Sequence, residues 1–143
     1  MNKGQLVKKI ALVVSHPIQH FCPQYESFAQ IPGVEFKVFF ASKLGYKAYY
    51  DPNFKKEVSW GNIRLENFNH VFVNGDEVLP AKPGLDSPNL EKELVLFNPH
   101  IVITYGYFQK FQRRARKWAN RNNKIVAYIS DSEHHQHRNK WKE

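Results

Sequence analysis

The sequence predicts an α/β fold: a Rossmann-like, doubly wound, mostly parallel sheet with helices on both faces. Three observations carry this. Short apolar runs recur at residues 10–14, 101–103 and 125–129, continuous enough for strands covered on both sides rather than one. The stretch between the last two runs has helical spacing, so strand, helix and strand alternate with short connections. The chain has 143 residues, 42% of them hydrophobic, which suffices for one core, and no linker or repeat divides it. Residues 1–143 therefore read as a single domain.

The first strand is the run 10–14, ended by Ser15-His16-Pro17. A short helix is expected over 23–30, because Pro23 suits an early helical position, Tyr25, Phe28 and Ala29 share a face, and Pro32-Gly33 stops it. Residues 34–40 read as the second strand. From 41 to 85 the pattern loosens: Asp51-Pro52-Asn53 and Asn74-Gly75-Asp76 look like turns, residues 80–84 like a loop, and 63–73 like the source of one strand. A helix is expected over 89–97 and another over 108–121. On the latter, Phe108, Phe111, Ala115, Trp118 and Ala119 fall on one side, and Lys110, Arg113, Arg114, Lys117 and Arg121 on the other.

Composition excludes several classes. The only cysteine is Cys22, so neither an internal disulfide nor a cysteine-rich zinc site can form, and a reducing, cytoplasmic compartment is expected. Without an activating neighbour in sequence, Cys22 reads as a small buried residue. No apolar run approaches the ~20 residues a bilayer span needs, and no signal-peptide core follows the charged start. The net charge of +8 is uneven: residues 108–143 hold 10 Lys/Arg against 3 Asp/Glu, whereas residues 1–107 are nearly balanced. The basic face of the 108–121 helix admits three readings: an anionic membrane surface, nucleic-acid phosphates, or plain solvation. With no nucleic-acid fold signature, nucleic acid comes last.

In open α/β sheets ligands bind outside the carboxyl ends of the strands, which sorts the candidate residues. His16 and His20 follow the first strand, Ser42 and Lys43 the second, Tyr105, Gly106 and Tyr107 the run at 101–103, and Asp131, Ser132 and His134 the last. His70 and His100 precede strands and belong at the opposite end. The loop after the first strand has neither a G-x-G-x-x-G nor a P-loop pattern, which argues against a dinucleotide or P-loop enzyme. His16 could take a proton from a hydroxyl near neutral pH, or merely pack on Pro17. Asp131 could orient a sugar hydroxyl or cap a turn; Tyr105 and Tyr107, beside a glycine, could form a stacking platform or be ordinary surface aromatics. His134, His135 and His137 are close in sequence, but a polar terminal stretch favours a solvated loop, and no metal is expected.

Four segments carry a family resemblance: residues 9–23 (KIALVVSHPIQHFCP), 50–54 (YDPNF) with Val58-Ser59-Trp60, 97–107 (FNPHIVITYGY), and 129–133 (ISDSE). Together they resemble the N-terminal half of bacterial family 4 (group 1) glycosyltransferases, over nearly the whole chain. The most specific parts are the Ser15-His16-Pro17-x-Gln19 loop and the segment from Asp51 to Trp60. The resemblance implies a GT-B enzyme of two Rossmann-like domains, with this one shaping the site for a glycan or lipid-linked acceptor and an absent C-terminal domain holding the nucleotide-sugar donor. Consistent with that division, no glutamate here has another eight positions later, so the donor domain's E-x7-E motif is missing. Gly61 stands where relatives commonly place Asp. Carried over, the family pattern makes His16 and Gln19 candidates for the first cleft loop and Tyr105, Gly106 and Tyr107 for the next wall; no cofactor belongs to this half. It would contribute positioning, be silent alone, and sit in the cytoplasm or at the inner face of the membrane. The alternative is a stand-alone module that binds a sugar or phosphate ligand.

Overall fold

The computed structural model describes residues 7–46, 49–51, 56–58, 63–106 and 108–129. Five parallel strands form one sheet: β1 (Lys8–Val14), β2 (Val34–Phe40), β5 (Asn69–Phe72), β6 (Ile101–Tyr105) and β7 (Ile125–Ile129). Their spatial order is β5-β2-β1-β6-β7. Two short strands, β3 (Tyr49–Asp51) and β4 (Lys56–Val58), pair antiparallel within the β2–β5 connection. The turn read at Asp51-Pro52-Asn53 falls in this hairpin, with Pro52 and Asn53 outside the described residues. The expected strand within 63–73 shortens to β5, followed by the turn at Asn74 and Gly75.

Helix α1 (Cys22–Ala29) covers one face, and α2 (Leu90–Phe97) and α3 (Lys110–Arg121) cover the other. The strands show why. In β1, Ala11 and Val13 point toward α2 and α3, whereas Leu12 and Val14 point toward α1, so the run must be apolar throughout. Fully buried side chains such as Phe39 and Phe111 each stabilise the fold by roughly 2–3 kcal/mol. Helix α2 ends where Asn98 takes a left-handed conformation (φ 53°) and returns its N–H to the Leu94 carbonyl at 2.8 Å.

Two expectations need correction. Phe108 lies outside α3 and is 54% exposed: the helix starts at Lys110, because Gln109 and Gln112 cap it reciprocally. His70 does not precede a strand. It lies within β5, paired with Val38 in register, and its ring meets Phe68, Phe40 and Phe72. His100 does precede β6, where its Nδ1 accepts the Lys9 N–H at 2.9 Å and joins the lower ends of β1 and β6. Cys22 is buried, and its thiol donates to the Ile18 carbonyl. Among the described residues no helix is long and apolar enough to cross a membrane.

Candidate functional site

From β1 the chain moves outward to β2 and β5, then returns to place β6 on β1's other side. The connections that follow β1 and β6 leave for opposite sides of this strand pair, which by the strand-end rule makes the carboxyl edge between them the candidate ligand crevice. The β1 loop is held from below, since the Ser15 carbonyl accepts the N–H groups of Ala41 and Ser42 at 3.1 and 2.9 Å. Ser42 in turn donates its hydroxyl to the Leu79 carbonyl and accepts the N–H groups of Leu44 and Leu79.

His16 is half-buried, and its Nδ1 lies 2.8 Å from the Ser15 hydroxyl oxygen. Burial removes water from the ring and lowers its pKa, so the imidazole is neutral at pH 7. With Nδ1–H donated to Ser15, Nε2 carries a lone pair that can accept a proton; with the Ser15 hydroxyl donating, Nε2–H becomes a donor. Both states suit a hydroxyl-bearing ligand.

Gln19 begins a single 3-10 turn (Gln19–Phe21) and is exposed there, as is His20. Phe21 closes the turn with its ring centroid 4.7 Å from that of Tyr105, which joins the β1 loop to the end of β6. Tyr105 is the last residue of β6 rather than a residue beyond it, and its ring packs with the α1-side core. Gly106 follows with φ 88°, donates its N–H to the Ile129 carbonyl at 2.8 Å and accepts the Thr104 hydroxyl at 2.9 Å. A Cβ here would meet nothing nearer than 3.8 Å, so the positive φ, not crowding, is what calls for glycine. Behind it, the buried Gln112 amide donates to the Tyr105 carbonyl at 2.9 Å and fixes the β6 wall to α3. The structure thus brings His16, Gln19, Tyr105 and Gly106 to one edge; Tyr107, Asp131, Ser132, Gly61 and the histidines at 134, 135 and 137 lie outside the described residues.

No family model, curated protein or solved structure matches this chain.

Lys110, Arg113, Arg114, Lys117 and Arg121 lie elsewhere, along a groove of about 560 Å³ on the outer side of α3. Two carboxylates invisible to helical spacing share it. Asp86 accepts a two-pronged bond from Arg114 at 2.8 and 2.7 Å, and Glu91 takes Arg121 at 3.0 Å with Arg114 at 3.8 Å. Hydrogen bonding to Arg114 holds the Asp86 carboxyl below its ordinary pKa, against the opposing effect of burial. Among the described residues, no group of three or more His, Cys, Asp or Glu side chains is arranged to hold a metal ion.

Sequence reasoning placed Ser15 in the specific loop without assigning it a role, and missed Phe21, Asp86, Glu91 and the glutamine pair. A signal existed only for the last: two glutamines three positions apart, just before a helical pattern, have capping-box spacing.

Proposed function

We propose that this domain is the acceptor-binding wall of a sugar transferase. The observation behind it is the meeting of the His16 loop with the end of β6, through Phe21 and Tyr105, at the point where the chain reverses direction across the sheet. The family resemblance of the Ser15-His16-Pro17-x-Gln19 loop supplies the reaction class. On this reading a neutral His16 accepts the proton of an acceptor hydroxyl through Nε2 as that oxygen bonds to the anomeric carbon and the sugar–diphosphate bond breaks. Exposed Gln19 orients the acceptor, a glycan or a lipid-linked sugar, while Gly106, held by Ile129 and Thr104, and Tyr105 form the wall behind it. Tyr107 and Asp131 join them on the strength of the resemblance alone. The nucleotide-sugar and the cations that neutralise its leaving diphosphate belong to a second domain, so this one contributes alignment. The working place is the cytoplasm, with a cysteine that is kept reduced.

The test is complementation. Incubated alone with nucleotide-sugars and glycan acceptors, the chain should transfer nothing; joined to a donor domain of the family it resembles, it should restore transfer. Turnover by the lone chain overturns the division of labour, and a joined protein that folds but stays silent overturns the transferase reading.

A further inference from the structure

The outer layer formed by α2 and α3 carries two features that the crevice does not use. Five cations line the groove against two carboxylates, a net charge of +3 in one concavity. Asp86 and Glu91 are engaged with Arg114 and Arg121, whereas Lys110, Arg113 and Lys117 are exposed and form no ion pair among the described residues. Their spacing of three and four positions puts them on one side of α3, along successive turns. The carboxylates fix the frame, and three positive heads remain for an outside anion.

The second feature is apolar. Val95 and Leu96 on α2 are 62% and 71% exposed, and Phe108, two residues before α3, is 54% exposed. Val95 lies one helical turn from Glu91 and therefore on the side of α2 nearest the groove. Phe108 stands beside Lys110 at its other end. Leu96 is turned outward one position beyond Val95, beside Lys92, so the exposed surface of this layer combines large apolar side chains with the row of cations, and a nucleic-acid surface gains little from aliphatic ones. Basic groups beside exposed Leu, Val and Phe match a phospholipid interface, in which phosphates lie at the level of the cations and acyl chains just beneath.

We propose that the α2–α3 layer docks on anionic phospholipid, with headgroup phosphates seated in the groove by Lys110, Arg113 and Lys117 and with Leu96 and Phe108 entering the acyl boundary. It rests on this layer alone and holds whatever the crevice binds.

The full chain is tested by flotation with vesicles of phosphatidylglycerol and phosphatidylcholine at low and physiological salt, with pure phosphatidylcholine vesicles beside them. Binding should require phosphatidylglycerol. It should weaken by roughly thirty-fold in Arg113→Ala/Lys117→Ala, at about five-fold per basic residue near the surface. Lys8→Ala/Arg64→Ala removes the same charge from exposed positions away from this layer and should change binding less than about two-fold. Leu96→Ser/Phe108→Ser should weaken vesicle binding several-fold while leaving the thermal midpoint in place, since neither side chain is in the core. Absence of binding, equal loss in both charge variants, no response to the apolar pair, or tighter binding to a single-stranded oligonucleotide or to pyrophosphate than to vesicles would each overturn the proposal.

Discussion

The crevice above β1 and β6 and the groove along α3 handle charge in opposite ways. In the crevice, burial strips water from the His16 ring and leaves it neutral. In the groove, bonding to Arg114 keeps Asp86 ionised. The first is assembled largely from neighbours along the chain, Ser15 beside His16 and Phe21 five positions on, with Tyr105 closing it from β6. The second needs partners far apart, with Asp86 and Arg114 separated by 28 positions. Proton transfer asks for a group that changes charge easily, whereas anion docking asks for charge that does not change at all. On the readings proposed above, the two regions would meet those demands separately.

The sharpest way to break this contrast is His16→Ala in the protein joined to a donor domain. Transfer should fall by about 100-fold or more through kcat, the scale of a lost proton acceptor. An unchanged rate would reduce His16 to a packing residue on Pro17. Next, Asp86→Asn should cost about 1 kcal/mol in urea unfolding, because the bond to Arg114 is charge-assisted but a quarter exposed to solvent. Glu91→Gln, whose contacts are longer and more exposed, should cost less.

Acid titration of stability separates the two regions. His16 has a lowered folded pKa, so the unfolded chain binds its proton first, and stability should start to fall as pH drops through about 6.5. Asp86 also has a lowered folded pKa, but its charged form is the favoured one: its contribution is complete above about pH 4 and disappears as pH falls through the folded value. His16→Gln should remove the upper limb alone and Asp86→Asn the lower limb alone. The smallest effect is a gain. The Tyr25 hydroxyl is buried and has no hydrogen-bond partner among the described residues, so Tyr25→Phe should raise stability by up to about 1 kcal/mol on thermal denaturation.

How much of this was legible follows from the distances involved. The run at 10–14 announces β1 because a strand covered on both faces cannot alternate, and Phe111, Ala115, Trp118 and Ala119 announce α3 because each lies a turn or so from the next. The strand-end rule sorted His16, Gln19 and the end of β6 toward one edge from nothing more than which strand each residue follows. The β5 strand was harder: Asn69 and His70 interrupt its apolar character, and its register with β2 is a matter of ring contacts across strands. In the groove, helical spacing displayed five cations as one face but could not show which two are already paired, because their carboxylates come from the loop and helix before β6. Phe108 misled for a related reason: its spacing fits the helix, yet the glutamine cap begins the helix after it.

One small serine carries a mechanical consequence. Ser42 ties the backbones of Leu44 and Leu79 with three bonds through a single hydroxyl, and the neighbouring Ser15 carbonyl receives two more amides, so the floor under His16 behaves as an anvil and not as a hinge. Amide protons of Ala41, Ser42 and Leu79 should exchange with deuterium nearly as slowly as those of β1.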